Sequence, residues 1–211
     1  VGIKFFIIQV CCLLLFTVDN LLITHYFGPE TVTPFSITNK VFHTAYTVLA
    51  AFLVPYWSRT TVAFAQNDYT WVKNSIKKVS ALYALFILGY IVLVFIFKPL
   101  VAMWLGRELS YQDGLLPTMC VFYILYSALA VECQFINGSG KINVQLIMYC
   151  LISIANIPLS IYMGVTCGMG VVGIRLATTI LVLIEVLVLG FNLLSIVKKL
   201  KLDAHESRLI N

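Results

Sequence analysis

Polar residues recur along one face of an apolar stretch between residues 35 and 64. Around Lys40, at about 100° per residue, the side chains of His43, Thr44 and Thr47 fall within about 60° of one direction. An amine and an imidazole can bind an anion such as a phosphate, and hydroxyl groups can hydrogen-bond to sugars. Because polar groups that face lipid are costly, this face is expected to look onto protein or water. We interpret it as the wall of a water-filled cavity, and the alternative is helix packing through small residues.

Charged side chains also interrupt the first and last apolar stretches. Asn20 shares a face with other polar residues of the first stretch, whereas Asp19 lies about 100° away from Asn20. Asp19 is therefore expected either to bind a proton or a cation, or to pair with a neighbouring helix. Glu185 lies near the middle of the last stretch and is either an ion-coupling group or a structural contact. Arg175, one turn inside the same stretch, is a candidate for binding an anion together with Lys40 and His43.

Motifs of catalysis and of metal binding are not found. Residues Gly138 to Lys141 imitate the end of a phosphate-binding loop, but Phe135 stands where that loop needs a glycine and Ile142 where it needs Ser or Thr. The six cysteines form no CxxC pair, and no His, Cys and carboxylate residues are spaced as metal ligands. We therefore expect no enzyme, no metal site and no cofactor, with coupling to Na⁺ or H⁺ left open.

Six long apolar stretches must position these groups. A membrane-spanning helix needs about 20 mainly apolar residues, and the composition, 61% hydrophobic and 11% charged, leaves little for a water-exposed surface. The sequence predicts an all-α integral membrane protein in which residues 1–201 form a bundle of six transmembrane helices and residues 202–211 a cytoplasmic tail. The predicted helices lie at about 3–26, 35–64, 76–97, 114–136, 143–163 and 171–197.

Positively charged residues stand near the ends of the predicted helices. The net charge is +5, but the cations stand at the ends of apolar stretches and form no basic patch for nucleic acid. Counted on alternating sides of the predicted helices, ten Lys and Arg residues fall on one side and four on the other. The positive-inside rule then places both ends of the chain in the cytoplasm.

Several short motifs resemble those of one transporter family. They are GIKFFIIQ at 2–9, VDNLLI at 18–23, FGPETV at 27–32, PYWS at 55–58 and NGSGK at 137–141. Their order and spacing resemble polysaccharide-biosynthesis membrane proteins of the O-antigen flippase type. That family belongs to the superfamily that also contains the multidrug and toxin extrusion (MATE) transporters and the lipid II flippase. The resemblance extends from about residue 2 to residue 201.

The resemblance implies a MATE-like transporter with two six-helix lobes around a central cavity in the bacterial inner membrane. The chain opens without an initiator Met, so we expect it to be the C-terminal lobe of a longer protein whose N-terminal six-helix lobe is missing. The implied substrate is an undecaprenyl-pyrophosphate-linked oligosaccharide, moved by alternating access. Asn20, Thr44 and Thr47 are then candidates for the sugars.

Three other functions stay open at this point. A cation-coupled multidrug exporter would favour carboxylates over cations in its cavity, so Asp19 and Glu185 would be its sites. A membrane-embedded enzyme of polyprenyl-phosphate metabolism would need clustered acidic or His residues at one membrane face, and the sequence lacks them. A non-transporting scaffold would bury its polar stripes against neighbouring helices and leave no open cleft.

Overall fold

The part of the chain that the structure describes forms a bundle of six long helices. The computed structural model describes the backbone of residues 2–210 and the side chains of residues 2–204. Each of the six helices found there is long and apolar enough to cross a membrane. The predicted fold class, an all-α membrane bundle, is therefore confirmed. The helices are α1 Gly2–Phe27, α2 Pro29–Ala65, α3 Tyr69–Leu105, α4 Leu115–Ser139, α5 Asn143–Ile161 and α6 Gly170–Ile210, with a π-helical turn, Tyr162–Thr166, after α5.

Helices α2 and α3 begin several residues before their predicted apolar stretches. Helix α2 begins at Pro29 rather than at residue 35, since a proline is tolerated in the first turn of a helix. Helix α3 begins at Tyr69 rather than at residue 76, and the side chain of Asp68 caps it by accepting the Trp71 backbone N–H at 2.9 Å. The predicted end of this helix at residue 97 is wrong, because α3 continues through Pro99 to Leu105. Membrane helices accept such prolines when neighbouring groups satisfy the freed carbonyl.

Helix α6 continues beyond its apolar segment. It was expected to end near residue 197, but its backbone stays helical to Ile210 through the lysine-rich segment. Lysine and leucine are both good helix formers, so the loss of apolar character does not end the helix. The predicted tail, 202–211, is therefore a continuation of α6 as far as the backbone is described. The side chains from residue 205 onwards, and Asn211 altogether, lie outside the described residues.

Helix α4 lies at the centre of the bundle. It packs against α2, α3 and α6, while α5 packs between α1 and α6. A cluster of aromatic side chains joins α2, α3 and α4, in which the ring of Phe42 stacks on those of Tyr90 and Tyr123. The hydroxyl groups of Tyr90 and Ser127 are hydrogen-bonded at 2.8 Å inside the same cluster. Aromatic packing thus holds the central helix to two of its neighbours.

Large apolar side chains cover much of the outside of the bundle. Leu88 and Phe95 of α3, and Leu187 and Phe191 of α6, are exposed. An exposed apolar surface of this extent is unfavourable in water but matches the hydrocarbon of a bilayer. These helix faces are therefore the lipid-facing surface of the bundle.

Gly138 sets the distance between α2 and α4. A Cβ atom added there would lie 2.5 Å from Cβ of Thr60. We expect Gly138→Ala to destabilise the protein by about 1–3 kcal/mol, because the two helices would have to separate.

The measurement is the thermal unfolding of the purified protein in detergent. Gly89→Ala is the matched control, since a Cβ at Gly89 meets no atom within 4 Å. That control should be neutral or stabilising, because Ala favours a helix over Gly by about 1 kcal/mol. Equal melting temperatures for Gly138→Ala and the wild type would contradict the close approach.

Candidate functional site

The polar face of α2 is exposed along most of the helix. The side chains of Lys40, His43, Thr44 and Thr47 are all accessible, and the face continues to the exposed Ser58. From Lys40 to Ser58 the helix rises about 27 Å, nearly the thickness of the bilayer hydrocarbon. A polar, cationic face of this length is not suited to lipid. It requires water or another protein surface beside it.

The hydroxyl groups on this face are anchored to their own helix. The Thr44 hydroxyl donates to the Lys40 carbonyl oxygen at 2.9 Å, and the Thr47 hydroxyl donates to the His43 carbonyl oxygen at 2.9 Å. Oγ1 of Thr47 also lies 3.4 Å from Nδ1 of His43. Each hydroxyl oxygen keeps a lone pair with which it can accept from a ligand. Beside them is an open groove of about 560 Å³, lined by Thr44, Thr47, Val48, Ala51 and Phe52.

Helix α1 runs antiparallel to α2 and extends the polar face. The Ser36 hydroxyl donates to Oδ1 of Asn20 at 3.2 Å near one end of the pair, and the rings of Phe5 and Trp57 meet near the other. Asn20 is half-buried at this contact. Gln9, Thr17 and Thr24 of α1 are exposed. The structure thus brings Asn20 together with the α2 residues on one side of the bundle.

Arg175 lies in the interior of the bundle and not on this face. Its Nη1 is 3.3 Å from Oδ2 of Asp19, and its Nη2 donates to Oδ1 of Asn39 at 2.8 Å. The guanidinium carbon lies 4.9 Å from the ring centroid of Phe35 and 4.3 Å from that of Phe122. The side chains of Arg175 and Asp19 are 2% and 1% exposed. The expectation that Arg175 lines the cavity is corrected, because its charge is neutralised inside the bundle.

Asp19 takes the second of the two alternatives left open by the sequence and pairs with a neighbouring helix. Besides the Arg175 contact, its Oδ1 accepts from the Thr178 hydroxyl at 3.0 Å. Thr178 in turn accepts from Nδ2 of Asn156 at 2.8 Å. Asp19, Thr178 and Asn156 are all buried. The carboxylate therefore connects α1 to α6 and, through Thr178, to α5.

The network extends to the central helix through Asn39. Its Oδ1 accepts from the Tyr123 hydroxyl at 2.9 Å as well as from Arg175. Asn39 and Tyr123 were not among the predicted site residues. Asn39 lies next to Lys40 in sequence but about 100° away around the helix, so the polar stripe did not include it. Tyr123 stands in an apolar run, where nothing in the sequence marks its hydroxyl.

Glu185 is also in the interior, and it forms no ion pair with another described residue. Its side chain is buried, and Oε1 has no hydrogen-bond partner among the described residues. The structure therefore separates the predicted site residues into two groups. Lys40, His43, Thr44 and Thr47, with Asn20 at the edge, form one outer face, whereas Asp19, Arg175 and Glu185 lie inside the bundle.

Comparison with known proteins identifies the fold family. Residues 5–162 match the family MatE. The chain belongs to the MatE family. No curated protein and no solved structure matches it. MatE proteins are membrane transporters, which agrees with the expectation that this chain is not an enzyme and makes it a multi-pass membrane protein of the exporter class.

The buried ion pair of this MatE chain is expected to be important for stability. Asp19→Asn leaves the Arg175 guanidinium uncompensated, so we predict a loss of about 3–5 kcal/mol in the free energy of unfolding. The double variant Asp19→Asn, Arg175→Gln removes both charges and should recover part of the loss. Thermal unfolding of the purified protein measures both.

Arg107→Gln is the control, since Arg107 is an exposed arginine outside the helices. It should change the melting temperature very little. If Asp19→Asn unfolds at the same temperature as Arg107→Gln, the ion pair does not contribute as described.

Proposed function

We propose that this chain is one lobe of a two-lobe exporter that moves an undecaprenyl-pyrophosphate-linked oligosaccharide across the bacterial inner membrane. The exposed α1–α2 face would form one wall of a central cavity. An N-terminal six-helix lobe of the same protein would form the other wall. Alternating access would follow from the rocking of two rigid lobes about the cavity, as in other transporters built from structural repeats.

The distribution of charge is the observation that carries this proposal. The outer face presents Lys40 and His43, whereas the carboxylates of Asp19 and Glu185 are buried inside the bundle. A face with cations and without a nearby carboxylate favours an anionic ligand. A pyrophosphate linkage supplies such an anion, and an ammonium group binds its oxygens by charge-assisted hydrogen bonds.

The remaining groups of the face suit sugars. Thr44 and Thr47 offer hydroxyl oxygens, and Asn20 offers an amide at the junction of α1 and α2. Phe52 and Val48 give the same groove an apolar side. Mixed polar and apolar contacts of this kind match the hydroxyl groups and the C–H faces of an oligosaccharide. Arg175 has no part in this binding, because its guanidinium is already engaged.

A cation-coupled multidrug exporter is the second candidate. The buried and unpartnered Glu185 favours coupling to an ion. Glu185 lies inside the bundle, however, so its carboxylate cannot bind a cationic drug on the α2 face. The exposed polar face of α2 also disfavours a non-transporting scaffold, in which this face would be packed against a neighbouring helix.

The excess of Lys and Arg on one side of the predicted helices supports a topology with both ends of the chain in the cytoplasm.

Lys40→Ala in the full-length protein tests the anion site. Loss of a charge-assisted hydrogen bond costs about 1.5–3 kcal/mol, so transport of the lipid-linked oligosaccharide should fall by about tenfold or more at unchanged protein level. Transport is measured as transbilayer movement of the pyrophosphate-linked oligosaccharide in proteoliposomes. Lys98→Ala is the control, because Lys98 is an exposed lysine of α3, away from this face.

A cationic dye is followed in parallel in the same vesicles. Movement of the glycan but not of the dye, with the loss confined to Lys40→Ala, is the expected result. Wild-type movement of the glycan by Lys40→Ala, or movement of the dye alone, would overturn the proposal.

A further inference from the structure

A cavity of about 590 Å³ opens at the end of the bundle where α1 begins and α4 ends. Its walls come from α1, α2 and α6 and from the segment 137–141, which includes the last residues of α4. This segment is the NGSGK motif, which lacks the glycine and the hydroxyl residue that a phosphate-binding loop needs. The cavity shares no lining residue with the groove beside Thr44 and Thr47.

The cavity lies near the boundary between membrane and water. Its lining residue Phe5 stands in the first turn of α1, and Lys141 follows directly after the end of α4. The rings of Phe5 and Trp57 meet on its wall, with their centroids 5.5 Å apart. Large aromatic rings are typical of this depth in a membrane protein. A molecule that fills the cavity therefore meets both water and hydrocarbon, as a membrane lipid does.

A hydrogen-bonded turn fixes the position of Lys141. The Ser139 hydroxyl donates to the Ile136 carbonyl oxygen at 2.7 Å and accepts the Lys141 backbone N–H at 3.2 Å. Gly140 permits this turn, because its φ of +70° is unfavourable for other residues. The side chain of Lys141 is exposed and forms no ion pair with another described residue. Its ammonium group is thus available to an anionic ligand.

Further groups next to Lys141 favour an anion. Oδ1 of Asn137, on the cavity wall, is buried without a hydrogen-bond partner among the described residues, and the same amide presents N–H donors when it is turned around. Helix α5 begins at Asn143 without a side-chain cap, so its first backbone N–H groups leave a partial positive charge. Lys4 adds a second ammonium group there, since its Nζ donates to Oδ1 of Asn143 at 2.6 Å.

One carboxylate lies on the opposite side of this balance. Among the described residues that line the cavity, Asp203 alone is acidic, and it already takes part in an interaction of its own. Lys4, Lys141 and the start of α5 together outweigh its charge. The local potential therefore favours an anionic ligand.

We propose that this cavity binds the phosphate group of a membrane lipid. Lys141 and the amide of Asn137 bind the phosphate oxygens, and the N-terminus of α5 adds its partial positive charge. The rings of Phe5 and Trp57 contact the part of the lipid next to the phosphate. The cavity volume lies within the range of about 300–1,000 Å³ that is typical of ligand pockets. Basic pockets between transmembrane helices are suited to lipid head groups.

Two kinds of lipid carry the required group. One is an anionic phospholipid of the bilayer, and the other is the polyprenyl pyrophosphate of the proposed function. Ser58, at one end of the polar α2 face, directly follows Trp57, so a lipid that leaves the cavity meets that face. For the second lipid the cavity is the loading site of export, and this assignment rests on the proposed function. The binding of a lipid phosphate does not.

Acetylation of lysines by an N-hydroxysuccinimide ester tests the site, because a bound phosphate shields the amine of Lys141. The full-length protein in detergent is labelled with and without dioleoylphosphatidylglycerol, and the modified peptides are quantified by mass spectrometry. At a lipid concentration about ten times its Kd, the labelling of Lys141 should slow about tenfold. Lys77, an exposed lysine of α3 outside the cavity, should not be protected. Dioleoylglycerol, with the same acyl chains and no phosphate, should protect neither lysine.

The affinity of variants for the same phospholipid, measured by native mass spectrometry, gives the second readout. Lys141→Ala loses a charge-assisted hydrogen bond, so its affinity should fall about tenfold or more. Lys141→Arg should keep most of the affinity, and Lys77→Ala should keep all of it. Lys141 is exposed in a turn, so these variants are expected to fold normally.

Unprotected Lys141, or equal protection by dioleoylglycerol or by soluble glycerol phosphate, would overturn the lipid-phosphate site. Stronger protection by undecaprenyl pyrophosphate than by the phospholipid identifies the site as the loading site, and the reverse order identifies it as a phospholipid site. Protection of Lys141 together with full glycan export by Lys40→Ala would overturn the proposed function and leave the lipid site standing.

Discussion

The packing of this bundle depends on the neutralisation of charges that are buried inside it. The Asp19–Arg175 ion pair neutralises two charges at once, and its hydrogen bonds reach Asn39 and Thr178. Tyr123 bonds to the same Asn39 oxygen, so five of the six helices are joined around one guanidinium–carboxylate pair. Since each partner alone would be a costly buried charge, the pair resists any motion that would separate α1 from α6. The lobe is therefore suited to move as a rigid body.

This internal pairing determines what the outer face can do. With Asp19 and Arg175 neutralising one another, the charge left on the α2 face is that of Lys40, with His43 beside it. The α2 face is therefore cationic, whereas the side chain of Glu185 is buried inside the bundle. Under the proposed function, anion binding would take place on the outer face of a rigid lobe.

Much of the fold could be predicted because apolar length alone indicates a membrane helix. The extra helical turns of α3 and α6 could not be predicted in this way. Pro99 lies inside α3 and the end of α6 is rich in lysine, so these turns depend on neighbouring helices or on helix propensity rather than on apolar length. The α2 face was predictable from its 3.6-residue period, as Lys40, His43, Thr44 and Thr47 show. The interior position of Arg175 was not, because the angle of a residue around its own helix does not reveal which neighbour it faces.

The proposed function requires that the α2 face border water within the membrane. The most direct test is the reaction of single cysteines with a membrane-impermeant maleimide, in a full-length protein whose native cysteines have been replaced. Thr47→Cys probes the polar face, and Leu88→Cys probes the apolar surface of α3, where the side chain is also exposed. We predict that Thr47→Cys reacts and that Leu88→Cys does not. Protection of both positions would contradict the account, because the α2 face would then be covered by lipid or protein rather than by water.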